Sequence, residues 1–357
     1  MFQSWTSDAM AKKAVHANTS PLFPTKPLYQ FYAPRRFNHN NLKMKTLRNI
    51  LLIAAFILTC VQLEAQEGRK SDTFTIKRSM SNDNHYSIIL PINDSTSISG
   101  TLSSIDTLVV DKSLYFEYRE IFNMDKNPTQ QQLDSMLTGE MKSYTSTITI
   151  NIGPSTYYSG SIIIAKKLAP PFKLFIPISR LFNINDNSRI IYINFPKRQL
   201  QVLSHADMEK TSLKKYAKFP MIHGPKENNY SIETSFYVAD RKGFEKSITG
   251  RFGFNIAYSG AVTLNTKRKK VFDFVYDIPH FEMVDFSDEN KGLRYYGFLP
   301  DKAGICDIEL GQITISTLET ESQQIYSDEF DGLIGTRLLG YYKCYFDFDK
   351  LEFYINR

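Results

Sequence analysis

Two distant stretches of this chain carry the same order of residue types, which constrains its fold more than any other feature. Arg180-Leu181-Phe182 followed by IIYINFPKRQLQVL (190–203) parallels Arg337-Leu338-Leu339 followed by CYFDFDKLEFYI (344–355). Tyr86-Ser87-Ile88 opens the first copy and Tyr230-Ser231-Ile232 the second. A chain that repeats one supersecondary pattern folds most simply as two similar units packed together. Apolar and polar residues alternate at period two in YSIILPI (86–92), STITINI (146–152), IIYINF (190–195) and CYFDF (344–348). Successive side chains of a strand point to opposite faces, so this alternation marks strands with one face buried. The expected fold is all-β, meaning mostly β with short helices, in two tandem β-barrel lobes over 70–203 and 230–357. The polar stretch 204–229, with Gly224 and Pro225, reads as the connection between them. One helix is marked by Asn127 as cap, Pro128 in its first turn and an apolar stripe of Leu133, Met136, Leu137 and Met141. A second apolar helical segment falls at Thr336–Leu339.

The chain has 357 residues, 42% hydrophobic and 13% aromatic, enough for one large core or two modest ones. Met44 to Gln66 has a basic start (Lys45, Arg48), an apolar run from Ile50 to Val61, and Ala65 before Gln66. That order is the pattern of a secretory signal peptide over 44–65, with an apolar run short for a membrane span. Residues 1–43 then read as upstream sequence outside the native protein, or alternatively as a disordered tail. The implied destination is the periplasm, the outer envelope or the exterior, with no transmembrane segment once the signal is removed. A lipoprotein anchored through Cys60 is a minor alternative, since Leu58 and Thr59 are not the small residues such a site prefers.

Charge follows from the same division. Residues 1–65 hold eight of the 43 Lys and Arg and two of the 37 acids, so the remainder balances at 35 of each. A neutral mature chain offers no electrostatic reason for nucleic acid as a partner. The KRKK run at Lys267–Lys270 reads as a solvated turn. Without Cys60 the cysteines are Cys306 and Cys344, either one disulfide or two buried thiols.

Over most of Tyr86–Arg357 the residues resemble the pepsin-like and retropepsin-like aspartic peptidases. In that superfamily each lobe carries Asp-Thr-Gly before an apolar strand, and later an apolar-apolar-Gly turn before a short helix. Leu333-Ile334-Gly335 resembles the late turn, and GRFGFNIAYSGAVTLN (250–265) stands where the triplet segment belongs, with Asn255-Ile256-Ala257 in its place. In the first lobe Gly100-Thr101-Leu102-Ser103-Ser104 matches Asp-Thr-Gly-Ser-Ser best, while LFIPIS (174–179) lacks the glycine of the late turn. The resemblance thus implies Gly100 and Asn255 in place of the two aspartates. The peptidase mechanism needs two carboxyls sharing a proton around one water, one acting as base and the other as acid. Neither a glycine nor a carboxamide supplies that. An alternative placement makes Ile105-Asp106-Thr107-Leu108 the triplet, with Asp106 as one carboxylate and Asp111 or Asp94 as an unplaced second.

The resemblance further implies a flap hairpin at TYYSGSIII (156–164) with Tyr157 as the flap tyrosine, although aromatic pairs in hairpins also serve cross-strand packing. A cleft, if retained, would be lined by Tyr157, Tyr158, Asn255 and Tyr258, and its natural occupant is an extended polypeptide. The expected function is therefore an exported, inactive aspartic-peptidase-like protein binding a polypeptide or another partner in an interlobe cleft. The alternatives are an active endopeptidase using Asp106 and an envelope-surface structural protein. No cofactor is implied. Six histidines, at 16, 39, 85, 205, 223 and 280, lack metal-ligand spacing. Asp347 and Asp349, at alternate positions, read as one solvated face, and SDEFD (327–331) as an acidic loop or, less simply, a calcium site.

Overall fold

The computed structural model describes residues 71–78, 85–91, 97–122, 128–132, 143–168, 172–224, 229–257, 260–278, 283–285, 295–298, 300–305, 308–311, 315–318 and 330–356. The leader with Cys60, the helix stripe from Leu133 to Met141, Asn127, Asp94, Tyr258 and Cys306 lie outside these residues. The first copy contains β1 (Thr73–Arg78), β2 (Tyr86–Pro91), β3 (Ser97–Ser103), β4 (Leu108–Asp111), β5 (Ser143–Gly153), β6 (Thr156–Ala165), β7 (Leu174–Pro177), β8 (Leu181–Asn183), β9 (Ile190–Asn194) and β10 (Gln199–Leu203). The second contains β11 (Tyr216–Gly224), β12 (Asn229–Ala239), β13 (Glu245–Asn255), β14 (Val262–Leu264), β15 (Met283–Asp285), β16 (Tyr295–Phe298), β17 (Lys302–Ile305), β18 (Ile308–Gly311), β19 (Ile315–Leu318), β20 (Gly332–Gly335), β21 (Lys343–Asp347) and β22 (Glu352–Asn356). Short helices are α1 (Lys112–Glu117), α2 (His205–Glu209), α3 (Lys269–Tyr276) and α4 (Thr336–Leu339). The chain is mostly β with short helices, in two halves of like design.

The halves meet in one antiparallel sheet of six strands, ordered β1-β10-β9-β21-β22-β11. Reading that order from either end gives the same pattern, with Tyr192 of β9 facing Tyr345 of β21 at its centre. Their rings stack at 4.6 Å between centroids. Residues 204–229 are thus more than a connection, because β11 both closes this sheet and opens the second half. The repeated motifs are its two hairpins. Asn194-Phe195-Pro196-Lys197-Arg198-Gln199 and Asp347-Phe348-Asp349-Lys350-Leu351-Glu352 make the same turn, pairing Asn194 with Gln199 and Asp347 with Glu352. Arg198 and Leu351 both take φ of 55°, the left-handed region that side chains rarely occupy. In each turn the first side chain accepts a backbone N–H three residues on: Lys197 N to Asn194 Oδ1 at 3.1 Å, Lys350 N to Asp347 Oδ1 at 2.9 Å.

The expectation of a solvated face fails at Asp347, which is fully buried, while Asp349 stays exposed and takes the Arg189 backbone N–H and Nε. Burial, the largest influence, pushes the Asp347 carboxyl above its ordinary 3.8 against the Lys350 N–H and charge. Its Oδ2 is buried with no hydrogen-bond partner. A raised carboxyl favours the fold below its ordinary value, and that contribution is lost as pH rises through the folded value. Asp347→Asn, which copies Asn194, is therefore expected to stabilise the protein by about 1 kcal/mol at neutral pH, or about 2 °C in Tm. The gain should vanish as pH falls below the ordinary Asp range, which thermal melts at several pH values would show.

Outward from the central sheet, each half turns through a matching pair of strands. β1 runs on to pair with β2 (Ile76 with Ile88), and β11 runs on to pair with β12 (Met221 with Ile232). β2 then pairs with β3, and β12 with β13. A three-strand weave follows: β7 runs parallel to β3 and antiparallel to β4, as β20 does with β13 and β14. One buried apolar cluster, running from Ile76 through Phe252 and Phe254 to Ile355, fills both halves. The helix expected from Asn127 instead begins with a reciprocal cap at Thr129, whose Oγ1 accepts Gln132 N while Gln132 Oε1 accepts Thr129 N. The second expected helix is α4.

Candidate functional site

The internal symmetry fixes which residues stand in equivalent places, without any motif. The backbone bonds Ile76 N to Arg198 O and Met221 N to Leu351 O make Ile76 and Met221 equivalent. The strand registers then carry the equivalence outward: Ile88 to Ile232, and next Gly100 of β3 to Phe252 of β13. Three residues on, Ser103 corresponds to Asn255. The weave gives the same answer from the other side, since Ser103 is the last residue of β3 beside Pro177 and Asn255 the last of β13 beside Gly335. The position expected for Gly100 is therefore corrected to Ser103. Gly100 lies earlier in β3, buried, where an added Cβ would sit 2.1 Å from Ile176 Cδ1.

The two ends converge at the junction of the halves. Ser104 Oγ donates to Phe254 O at 2.6 Å, a buried bond from the first half to the residue preceding Asn255. The return bond has no donor, because Ile256 stands where Ser104 does. Instead Asn229 Nδ2 adds a second bond to Phe254 O at 3.0 Å. Ser104→Ala should therefore cost only about 1 kcal/mol, with Phe254 O still satisfied. The pair Ser104→Ala/Asn229→Ala should cost clearly more than the sum of the singles, read from urea denaturation as a double-mutant cycle. Below this bond the lining is apolar: Ile178, Tyr230, Phe254, Ile256, Phe346 and Phe348.

Chemically, the equivalent positions offer a hydroxyl and a carboxamide. Ser103 is buried and its Oγ accepts the Ile105 N–H at 3.1 Å. Asn255 is half-buried. Neither can take a proton from water, and no histidine of the described residues bonds Ser103.

Asp106 lies three residues beyond Ser103, buried at 4% exposure. Its Oδ1 accepts a short bond from Ser179 Oγ, and Arg180 lies 3.2 Å from Oδ2. His223 Nε2 is also 3.2 Å from Oδ2, an electrostatic contact without hydrogen-bond alignment. Serine and histidine thus both address the carboxylate, whereas a hydrolytic triad would place histidine between them. Asp111 is no partner for Asp106, since it caps α1, accepting Ser113 N at 2.9 Å and Leu168 N at 3.0 Å. Burial would raise its carboxyl, but the bonds from Ser113 and Leu168 outweigh it and hold the group below its ordinary value.

The tyrosines expected along a cleft are placed otherwise. Tyr158 is fully buried, its hydroxyl donating to Ser161 O and accepting Leu108 N at 3.3 Å. Burial pushes that hydroxyl up to about 12. It supports the loop that carries Asp106 and lines no groove. Tyr157 is half-buried, stacked on Phe182 at 5.1 Å with its hydroxyl on Asn187 at 3.0 Å. The β5–β6 hairpin is pinned at its turn, where Ser155 N donates to Asp72 Oδ2 at 2.8 Å and Ser155 O accepts Ile184 N. That tether fits a structural hairpin rather than a flap that closes over a substrate.

Sequence reasoning also missed an internal charge site. Asp331 is 2% exposed, takes the Arg251 N–H at 2.8 Å, and pairs with Arg268 at 2.6 Å and Lys270 at 2.7 Å. Two bases of the KRKK run are thus committed to a buried acid. No group of three or more potential metal ligands forms among the described residues. Cys344 is a buried free thiol, and its expected partner Cys306 lies outside the described residues.

No family model and no curated protein matches this chain. Among solved structures it is similar to conglutin gamma, a basic 7S globulin from lupine seeds, at 9% identity and a TM-score of 0.48, covering 80% of this chain and 94% of that one. The soybean basic 7S globulin follows at 7% identity and 0.45, covering 80% and 96%. An aspartic proteinase from Irpex lacteus matches at 9% identity and 0.42, covering 80% and 97%. The equivalence of Ser103 and Asn255 rests on strand register alone.

Proposed function

We propose that this is an exported protein of aspartic-peptidase-like architecture that holds a polypeptide at the junction of its halves without cutting it. One observation carries the reading: the residues at the two equivalent strand ends are Ser103 and Asn255, with no carboxyl pair between them. Hydrolysis by this architecture needs one group to accept a proton from water and another to donate one to the leaving amine. A hydroxyl that accepts the Ile105 N–H and a carboxamide do neither. Export is supported by the basic, apolar and small-residue order of 44–65. A polypeptide is the occupant that strand-based scaffolds favour, because extended backbone can bond alongside them.

The test is binding and fate measured together. Fluorescent peptides of varied sequence are titrated into the protein by anisotropy and then recovered for mass spectrometry. Saturable binding of peptides that come back intact is expected. Cleaved peptides, or no binding by any of them, would remove the proposal.

A further inference from the structure

The symmetry that equates Ser103 with Asn255 also sets two charge-bearing sites of similar composition at the junction, and only the first holds an acid among its described residues. In β1–β2 Arg78 pairs with Tyr86, and in the matching β11–β12 His223 pairs with Tyr230. After β7 comes Ile178-Ser179-Arg180, and directly after β20 comes Thr336-Arg337, so the two sites match in kind of residue and, by strand register, Arg337 stands where Ser179 does. Each site therefore combines a base and a tyrosine from one half with a hydroxyl and an arginine from the other. In the first, the carboxylate of Asp106 fills the space, held by Arg180, His223 and Ser179. In the second, the same kinds of group, Arg78, Tyr86, Thr336 and Arg337 with Gly340 and Tyr341, line an open cleft of about 330 Å³.

Nothing within the described protein neutralises that cleft. Among the described residues neither Arg78 nor Arg337 has a carboxylate within ion-pair distance. The segment matching the Asp106 loop reads Ile256-Ala257-Tyr258-Ser259-Gly260-Ala261 and contains no acid. Both arginines are exposed, while Tyr86 is 5% exposed with its ring fixed edge-on to Phe195 at 5.1 Å. Burial is the largest influence on the Tyr86 hydroxyl and raises it, against the lowering pull of Arg78 and Arg198. Guanidinium groups are the donors best matched to a planar carboxylate. A pocket of this size accommodates a small molecule or a single side chain.

We propose that the cleft between Arg78 and Arg337 binds the carboxylate of an external ligand, in the place that Asp106 fills in the symmetric site. The internal carboxylate shows what the donor set is built to hold, and its counterpart is supplied from outside. The proposal does not depend on whether the Ser103–Asn255 junction binds a polypeptide.

Succinate is the probe, titrated by calorimetry into the whole protein at constant ionic strength, beside its neutral analogue succinamide and inorganic phosphate. Saturable binding of succinate in the millimolar range or tighter, with none of succinamide, is expected. Arg78→Ala and Arg337→Ala should each weaken it about tenfold or more, since each removes a charge-assisted contact. Both side chains are exposed, so both variants should fold, and their unchanged melting in ligand-free buffer verifies this. Lys242→Ala, at an exposed turn, should bind as the native protein does. Three results would overturn the assignment: no saturation into the tens of millimolar, equal binding by both arginine variants, or phosphate binding more tightly than succinate.

Discussion

Gly100→Asp is expected to abolish folding, whereas Ser103→Asp is expected to leave a folded protein. Motif matching would place a family aspartate at Gly100, but the register places it in the interior, with Ile176 Cδ1 2.1 Å and Leu174 Cδ2 3.2 Å from an added Cβ. Aspartate there meets apolar neighbours on a packed strand and buries a charge that none of those neighbours can pair. Steric displacement and an unpaired buried charge together place the cost above about 4 kcal/mol. Ser103 already carries a side chain whose oxygen accepts the Ile105 N–H, a bond a carboxylate keeps. Its replacement should cost about 1–2 kcal/mol. Urea midpoints for the two variants decide the matter: a stable Gly100→Asp beside an unfolded Ser103→Asp would mean the register is wrong.

Phe254→Ala is the second large effect. Its ring is 1% exposed and packs against Phe346 at 5.2 Å and Phe353 at 4.8 Å, joining β13 to the central sheet. Its carbonyl is the acceptor that ties the halves together. Removing a buried phenyl from such a site costs about 3–5 kcal/mol, the transfer loss plus a cavity its neighbours only partly fill. The drop should appear in one cooperative transition in chemical denaturation, because a single apolar cluster spans both halves. Two separated transitions, with only the second affected, would mean that the halves fold independently.

What the sequence made legible were features set by local geometry. The two hairpins announce themselves because each turn needs the same acceptor at its start and tolerates the same left-handed residue before its end, Arg198 or Leu351. Tyr86 and Tyr230 were readable for a related reason, since each stands at or one residue from the start of the strand that pairs with the one leaving the central sheet. Alternation revealed the strands and the short apolar run revealed α4. The Ser103 position was not legible. Ser99-Gly100-Thr101-Leu102-Ser103-Ser104 is a run of mostly small residues, and only long-range pairing with β2 and β7 sets which of them reaches the strand end. Asp106 was visible as an acid, but Ser179, Arg180 and His223 come from remote segments, so its commitment to them had no sequence signal. Asp347 misled because its strand ends there and Asp349 lies in the turn, so period two does not put the two on one face. The KRKK run misled likewise, its buried partner Asp331 lying far along the chain.

The two equivalent strand ends carry Ser103 and Asn255 in place of a pair of acids, and the function proposed above has them turn over no substrate. The most direct measurement is incubation of the purified protein with a denatured protein substrate from acidic to neutral pH, with and without pepstatin, counting new peptide termini by mass spectrometry. No termini above the protein-free control are expected at any pH. Pepstatin-sensitive cleavage that disappears in Asp106→Asn would contradict that function.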